Sequence, residues 1–220
     1  MKNQRGFTLI ELAIVLVIIG LLLGGVLKGQ ELINSAKVKN MANDFRNIQV
    51  QIYSYQDKFK ALPGDDRAAQ AHLGSNATQA TGATTVGNGE IDGAWNAAAS
   101  AAAESSLVWQ HLRLAGLSAG TTTITDPTYL PTNNEGGPLG VQSNPQNTIE
   151  GLTGSYAVCS GGIPGKLAKQ LDVQMDDGNT TTGSLKVAAA VSGTTAAEAV
   201  DSADADIDFD SEKYVVCVAF

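Results

Sequence analysis

The sequence predicts an α+β protein in which one long N-terminal helix packs on a small antiparallel sheet. Three observations support this fold class. An apolar stretch near the N-terminus leads into a region with helical spacing of apolar residues, and the first proline is Pro63. Three short apolar segments with the character of strands follow much later in the chain. A long helix followed by separate strands is typical of α+β proteins.

The N-terminal apolar segment is long enough to cross a membrane. Counting from Phe7, only Glu11 interrupts an apolar run of about 20 residues, which spans a bilayer as a helix. The basic leader before it is expected to stay in the cytoplasm, so residues after Lys28 lie on the other side. An ordinary secretory signal peptide is the alternative, but residues 34–36 are a poor match to its cleavage site. A buried core helix is disfavoured because so uniformly apolar a helix is hard to bury on all sides.

Glu11 is the charged residue within this run. A carboxylate costs about 2.5–3.5 kcal/mol at the bilayer centre, so such a residue usually has a partner. Cleavage before Phe7 would create an ammonium group upstream on the same helix face. It would also place Glu11 in the first turn, where the helix dipole favours negative charge. Without a cut, Glu11 is expected to lie near the interface and reach water.

Residues 2–12, KNQRGFTLIEL, closely resemble the type III signal of type IV prepilins and type II secretion pseudopilins. The resemblance implies that a prepilin peptidase cuts between Gly6 and Phe7 and methylates the new N-terminus at Phe7. It also implies that Glu11 pairs with the N-terminus of a neighbouring subunit in a filament. The match covers roughly the first quarter of the chain, with glycine, phenylalanine, glutamate and apolar run in the family's order.

This resemblance predicts how the chain is divided. Residues 1–6 are a cytoplasmic leader that is removed, and residues 7–28 are the transmembrane half of a spine helix. Residues 29–60 are the amphipathic half of that helix, and residues 61–220 are a globular periplasmic or extracellular body. The family's ladle shape, a long helix packed on a small antiparallel sheet, agrees with the predicted fold class.

One feature departs from the common pilin pattern. Many type IV pilins carry a proline near the end of the apolar run, whereas this chain has Gly20, Gly24 and Gly25 there. Each glycine weakens a helix by about 1 kcal/mol relative to alanine, so the three could supply a soft segment. They could also allow close contacts between helices.

The polar half of the predicted helix carries a narrow apolar stripe. Its steps alternate between three and four residues, which predicts one face of a continuous helix that packs on the body. A coiled-coil dimer is the alternative, because the same alternation is a heptad. The flanking positions carry no regular charge pairing, which favours packing on the body. The stripe consists of Val38, Met41, Phe45, Ile48, Ile52, Tyr55 and Phe59.

The body is predicted to begin near Ala61, after a helix that the sequence Leu62-Pro63-Gly64 ends. Asp65 and Asp66 are expected to cap a short helix that ends at Gly74. Further elements are predicted from local patterns: loop at 75–103, helix at 104–114, turns at 121–147, strands at 155–159, 185–191 and 214–220, and a short helix at 166–171.

Cys159 and Cys217 each lie in a predicted strand. On the oxidising side of a membrane a disulfide between them is favoured over two free thiols. A metal site would need further ligands, and His72 and His111 lie far away in the sequence. A disulfide that encloses the C-terminal region also resembles many pilins.

Two acidic groups are candidate calcium sites. One contains Asp172, Asp176, Asp177 and Asn179, and its Asp177-Gly178 sequence is also a strong signal for a tight hairpin turn. The other contains Asp204, Asp206, Asp208 and Asp210, which would repel one another along one face of a strand. Calcium would relieve that repulsion, and some pseudopilins bind calcium in the body. The preferred interpretation is a solvated acidic loop, because no EF-hand pattern is present.

The net charge of −8 makes nucleic-acid binding by the body as a whole unfavourable. No nucleophile motif argues for an enzyme. The sequence therefore predicts a structural subunit of a type IV pilus or pilin-like filament, alone or mixed with other pilins, that requires prepilin peptidase and inner-membrane assembly machinery. Major pilin, minor pilin and secretion pseudopilin all fit. A membrane-tethered or secreted binding domain that never polymerises is the alternative from another class.

Overall fold

The computed structural model describes residues 8–81, 86–191, 193, 195–204, 209 and 211–220. Its contacts divide the chain into two units, Met1–Lys37 and Val38–Phe220. The first unit contains the apolar part of helix α1, and the second contains the rest of that helix and every strand among the described residues.

Helix α1 runs from Leu9 to Phe59, a length of 51 residues. It ends four residues before Pro63, because Lys60 adopts a left-handed backbone conformation with a φ of 55°. The predicted helix therefore exists, and its end lies slightly before the proline that was expected to stop it.

Four antiparallel strands form one sheet in the order β1-β2-β4-β3. This confirms an α+β fold with a long helix and a small antiparallel sheet. Three of the strands correspond to predicted ones, although β2 extends well beyond 159 and β3 ends earlier than 191. The strands are β1 (Leu139–Ser143), β2 (Tyr156–Pro164), β3 (Leu185–Ala188) and β4 (Lys213–Ala219).

Strand β1 lies in the segment for which the sequence predicts only turns. Gly140 within the strand and Gly137 just before it weaken the strand pattern, and both are required by close packing. A Cβ on Gly140 would collide with the backbone oxygen of Trp95, and a Cβ on Gly137 would collide with that of Gly161. Tertiary contact therefore overrides the local preference here.

The remaining helices are short and lie in the second unit. Helix α3 matches its prediction, and α4 is four residues longer at its C-terminal end than expected, because it continues past 171 to 175. No further α-helix or strand occurs in the described parts of 75–103, as predicted. The helices are α2 (Ala69–Leu73), α3 (Glu104–Leu114) and α4 (Gly165–Met175), with a 3-10 turn at Pro145–Asn147.

The apolar stripe of α1 belongs to the core of the body. Six of its seven predicted members are buried, Ala42 is buried beside them, and Phe59 is partly buried. They share one hydrophobic cluster with Val158 of β2 and Val216 of β4. The stripe is thus covered by the chain's own sheet, so the coiled-coil alternative is wrong. Each large apolar side chain buried in this way contributes about 1.5–3 kcal/mol.

The other face of the sheet has a second, smaller core. Side chains alternate across a strand, so the neighbours of Val158 point away from α1. Ala157 and Cys159 pack there with Trp95 and Ile149 from the surrounding loops. The sheet is therefore buried on both faces, which explains why its strands read as continuous apolar runs.

Candidate functional site

The N-terminal end of α1 is organised by a pair of reciprocal hydrogen bonds between Thr8 and Glu11. The backbone N–H and the hydroxyl of Thr8 donate to Glu11 Oε2 at 2.8 and 2.7 Å. The backbone N–H of Glu11 donates to Thr8 Oγ1 at 3.3 Å. This arrangement is a capping box, which satisfies N–H groups that the first turn of a helix leaves without intrahelical partners.

The capping box adds a residue to the predicted site. The charge argument for Glu11 does not identify Thr8, although Thr-x-x-Glu before an apolar run is the sequence signature of this motif. The predicted cleavage residues Gly6 and Phe7 lie outside the described residues. Glu11 is thus held at the first turn of α1 by a neighbour that a cut after Gly6 would leave in place.

The apolar side chains that follow Glu11 are uncovered within their own chain. The large apolar residues from Leu9 to Leu27 are each between 46% and 88% exposed. The helix that carries them is long and apolar enough to cross a membrane. Exposed apolar surface of this extent is unfavourable in water and indicates that lipid or other protein covers it. An N-terminal single-pass membrane anchor fits these properties.

Gly20, Gly24 and Gly25 do not interrupt α1. Apart from the adjacent backbone of α1 itself, a Cβ on any of them would meet no atom of the described chain within 4 Å. Their small size therefore serves no contact among the described residues. The two roles suggested by the sequence, a soft segment and a close helix contact, stay predictions.

An ion pair marks the end of the apolar run. Lys28 Nζ lies 2.7 Å from Glu31 Oε2, and both side chains are about two-thirds exposed, at 68% and 67%. An exposed pair at this helical spacing contributes only about 0.3–0.5 kcal/mol. It shows where α1 changes from apolar to polar.

The predicted disulfide joins Cys159 of β2 to Cys217 of β4. The two residues are direct cross-strand partners in the register of the sheet, and their Cα atoms lie 4.1 Å apart. Both are fully buried in the smaller core. The disulfide is confirmed, and it links two neighbouring central strands across 58 residues of sequence.

Asp66 connects the end of α1 to the segment that follows it. Its Oδ2 accepts a hydrogen bond from the Tyr55 hydroxyl at 2.7 Å and lies 2.6 Å from His72 Nδ1. Its Oδ1 accepts the Ala68 N–H at 2.8 Å. Burial raises the pKa of Asp66, but these hydrogen bonds outweigh burial and hold the pKa below its ordinary value.

The expectation that Asp65 and Asp66 cap helix α2 is wrong. The N-cap of α2 is Ala68, whose side chain makes no capping hydrogen bond. Asp66 instead accepts the backbone N–H of Ala68 itself, which lies before the first helical residue. Asp65 instead accepts the backbone N–H groups of a distant loop, at Gly87, Asn88 and Gly89. The local pattern favours a cap at both positions, but Asp65 bonds to the distant loop and Asp66 bonds to Tyr55, Ala68 and His72.

Glu104, at the start of α3, is fully buried next to this loop. Its Oε2 accepts the Asp92 N–H at 2.9 Å. Burial, together with the negative charges of Asp65 and Asp92, raises the pKa of Glu104 to about 7, although the hydrogen bond from the Asp92 N–H partly opposes the rise. This carboxyl group is consequently expected to hold its proton through much of the mildly acidic range.

His111 is buried and serves the structure. The Gly64 N–H donates to its Nδ1 at 2.9 Å, so the proton is on Nε2, which donates to the Thr78 backbone oxygen at 2.8 Å. Burial lowers the pKa of His111. Both ring nitrogens are used by backbone partners, which is the arrangement of a neutral structural histidine.

The structure brings the carboxylates of the first predicted acidic group close together. The second group lies only partly within the described residues. Asp172, Asp176 and Asp177 place carboxylate oxygens within 4.8 Å of one another. They lie at the connection between α4 and β3, so the predicted tight hairpin at Asp-Gly is wrong. Asp204 lies next to a turn and outside that group, while Asp206, Asp208 and Asp210 lie outside the described residues.

Comparison with known proteins identifies the N-terminal segment. Residues 1–27 match a family described as the prokaryotic N-terminal methylation motif, which is the signal of type IV prepilins and pseudopilins. The match includes Gly6, Phe7 and Glu11 and ends at Leu27, the last residue of the uncovered apolar run. Comparison with curated proteins and with solved structures finds no match.

Proposed function

From the prepilin-type signal in residues 1–27, we propose that the chain is the precursor of a subunit of a type IV pilus or related pilin-like filament. Prepilin peptidase cuts it between Gly6 and Phe7 and methylates Phe7. One observation carries the proposal: the signal leads directly into a helix whose apolar side chains are uncovered within the described chain. A membrane covers such a helix before assembly, and the helices of other subunits cover it afterwards.

The location follows from the anchor. The N-terminal helix holds the precursor in the inner membrane as a single span, with the body in the periplasm, and assembly moves the body to an extracellular pilus or a periplasmic pseudopilus. The buried Cys159–Cys217 disulfide supports this placement. Disulfides persist in oxidising compartments such as the periplasm and are rare in the cytoplasm.

Glu11 has two tasks in this proposal. Within its own chain it accepts the Thr8 N–H and stabilises the first turn of α1. Between subunits its negative charge pairs with the N-terminal ammonium of a neighbour and sets the axial register. Oppositely charged groups attract far more strongly once bundled helices exclude water. A carboxylate accepts several hydrogen bonds, so the cap and the ion pair do not exclude each other.

The partners are other subunits of the same or a mixed filament, prepilin peptidase and the assembly machinery of the inner membrane. We propose no catalytic role for the body. The hydrogen bonds of His111 and Asp66 to groups of their own chain support a structural use of these side chains.

Intact mass of the protein extracted from membranes tests the processing step. We expect a chain that begins at Phe7 and carries one added methyl group. The matched control is Gly6→Val, which alters the cleavage residue and leaves the apolar run and Glu11 unchanged. It should accumulate uncut in the membrane.

Two results would contradict the proposal. A mature chain that begins at Lys37 would indicate ordinary signal peptidase cutting after Ala36. An uncut chain that begins at Met1 in wild-type cells with active prepilin peptidase would favour the tethered binding domain that does not polymerise.

A further inference from the structure

Three carboxylates converge at the C-terminal end of α4. Asp172 lies in the last turn of the helix, and Asp176 and Asp177 follow directly after it. One oxygen of each lies within 4.8 Å of the others. The C-terminal end of a helix carries the negative pole of its dipole, which repels anions and attracts cations. The last turn of α4 has no basic residue, so the carboxylates face that pole without a compensating charge of the helix itself.

Asp172 is the unusual member of this group. Its side chain is fully buried, at 0% exposure, and neither of its carboxylate oxygens has a hydrogen-bond partner among the described residues. Leaving a buried polar group unpaired costs about 1–3 kcal/mol, and more for a charged one. A folded protein normally avoids this, so a buried pair of carboxylate oxygens close to two other carboxylates calls for an explanation.

The other two carboxylates are held in place by their own hydrogen bonds. Asp176 Oδ2 accepts the Leu185 N–H at 2.8 Å, which ties the end of α4 to the start of β3. Asp177 Oδ1 accepts the Asn179 N–H at 2.8 Å, and its Oδ2 accepts the Thr182 hydroxyl at 2.6 Å. These bonds fix the direction of each carboxylate before any ion arrives, which lowers the entropy cost of binding.

The pKa of Asp172 agrees with this geometry. Burial, together with the negative charges of Asp177 and Asp176, raises the pKa of Asp172 to about 7. The hydroxyl and the backbone N–H that bond to Asp177 hold the pKa of that exposed carboxyl below its ordinary value. One buried carboxyl therefore sits beside a readily ionised one, and a cation stabilises the charged form of both.

We propose that Asp172, Asp176 and Asp177 bind a divalent cation, and that the ion is calcium. All three ligands are carboxylate oxygens, which suit hard cations and do not favour zinc. Calcium accepts flexible arrangements of oxygen ligands at about 2.3–2.6 Å, whereas magnesium demands near-ideal octahedral geometry at about 2.0–2.1 Å and gives up its water reluctantly. Water completes the coordination at the exposed side, where Asp177 lies.

The bound ion has a structural effect on the body. It neutralises the buried Asp172 and joins the end of α4 to the turn that leads into β3, because Asp176 is bonded to Leu185. Calcium sites in extracellular modules have dissociation constants of about 10⁻⁴–10⁻³ M, the range expected for a site with three protein ligands. The site thus stabilises the body only where calcium is plentiful.

The test uses the full-length protein in detergent after removal of metals with a chelating resin. Calorimetric titration with calcium chloride should detect one site, and thermal unfolding should show a Tm that rises with calcium concentration. Magnesium at the same concentrations should raise the Tm less. Asp172→Asn should abolish the calcium-dependent rise and raise the Tm of the metal-free protein, because it removes a buried charge.

A second variant keeps the test decisive if Asp172→Asn fails to fold. Asp177→Asn alters an exposed ligand and should weaken calcium binding at least tenfold. Its matched control is Asp126→Asn, because Asp126 is a partly exposed aspartate that also accepts a backbone N–H and a threonine hydroxyl, both from Thr128. The control should bind calcium like the wild type. The proposal is overturned if the wild type binds no calcium, or if Asp177→Asn binds it as tightly as Asp126→Asn does.

Discussion

The two parts of α1 use apolar residues in opposite ways. From Leu9 to Leu27 the large apolar side chains surround the helix and all are exposed. From Val38 to Tyr55 they are confined mainly to one stripe, and that stripe is buried in the core of the body. The apolar side chains of the second part are therefore covered by their own chain, whereas those of the first part require lipid or another molecule to cover them. One helix thus carries both a stripe buried in its own body and an apolar surface that the described chain leaves exposed.

The largest expected effect distinguishes the buried stripe of α1 from its exposed apolar part. Phe45→Ala should lower the free energy of unfolding of the body by about 3–5 kcal/mol, because it leaves a cavity in a closed core. Leu16→Ala, its matched control in the exposed part, should change that free energy by less than about 0.5 kcal/mol. Urea unfolding in detergent measures both through fluorescence of Trp95 and Trp109, which are both buried in the body. Equal losses from the two variants would contradict the division.

Glu11 tests the intermolecular use of the exposed part. Glu11→Gln keeps an acceptor for the Thr8 N–H, since glutamine also serves in a capping box, but it removes the charge. It should leave membrane insertion and cleavage near normal, while filament yield falls sharply. The lost pair costs about 3–5 kcal/mol per contact if it is fully buried.

Thr8→Ala is the matched control for the cap. It weakens the start of α1 by about 1 kcal/mol and leaves the charge in place, so filaments should still form. Counting filaments by electron microscopy after shearing compares the two variants, expressed without the wild-type chain. Normal yield from Glu11→Gln together with failure of Thr8→Ala would show that Glu11 acts through the cap alone.

The disulfide should matter for the body and leave the membrane part unaffected. Replacing Cys159 and Cys217 together by serine should lower the free energy of unfolding by about 2–4 kcal/mol, since the bond restrains the unfolded chain. Membrane insertion and cleavage should stay unchanged, because both depend on the first 27 residues. Urea unfolding and intact mass measure the two effects. An unchanged urea midpoint in the double variant would contradict the stabilising role.

The smallest expected effect is the pH dependence that Glu104 gives to the free energy of unfolding of the body. The pKa of Glu104 is about 7 in the folded state and close to its ordinary 4.5 when unfolded. Between these values the folded state binds more protons, so the contribution of Glu104 to stability is largest below about pH 4.5 and falls as pH rises through 7.

Glu104→Gln removes this titration while its side-chain oxygen still accepts the Asp92 N–H. Its free energy of unfolding should exceed that of the wild type by about 1–2 kcal/mol at pH 8, with a much smaller difference at pH 5. Both proteins are measured in metal-free buffer, so that no ion bound by the carboxylates at the end of α4 adds a pH dependence of its own. An equal difference between the variant and the wild type at both pH values would count against a protonated Glu104.

The helix, its buried stripe and the disulfide are predictable because each follows from a local signal. The stripe repeats at helical spacing from Val38 onward, and two cysteines on an oxidising side have one possible intramolecular partner each. Strand β1 is not predictable from the local sequence pattern. Its Gly140 is explained only by the approach of the Trp95 backbone, which lies 45 residues earlier in the chain.

The polar residues of the body show the same limit. Asp65 follows a helix-breaking Pro-Gly sequence and looks like a cap, yet its partners are the N–H groups of a loop more than 20 residues away. Asp172 looks like one of several acidic residues near a turn. Its burial, which separates it from Asp176 and Asp177, depends on the packing of α4 against the sheet and has no signature in the sequence.

The central claim is that the exposed part of α1 is covered by the same part of other subunits. A photo-crosslinking amino acid at position 16 tests it most directly in living cells, with the adducts identified by mass spectrometry. The account predicts adducts to the methylated N-terminal helix of another copy or of another prepilin-type subunit, and their loss in the Gly6→Val background. Adducts to lipid alone, in cells where the chain is cut and methylated, would contradict it.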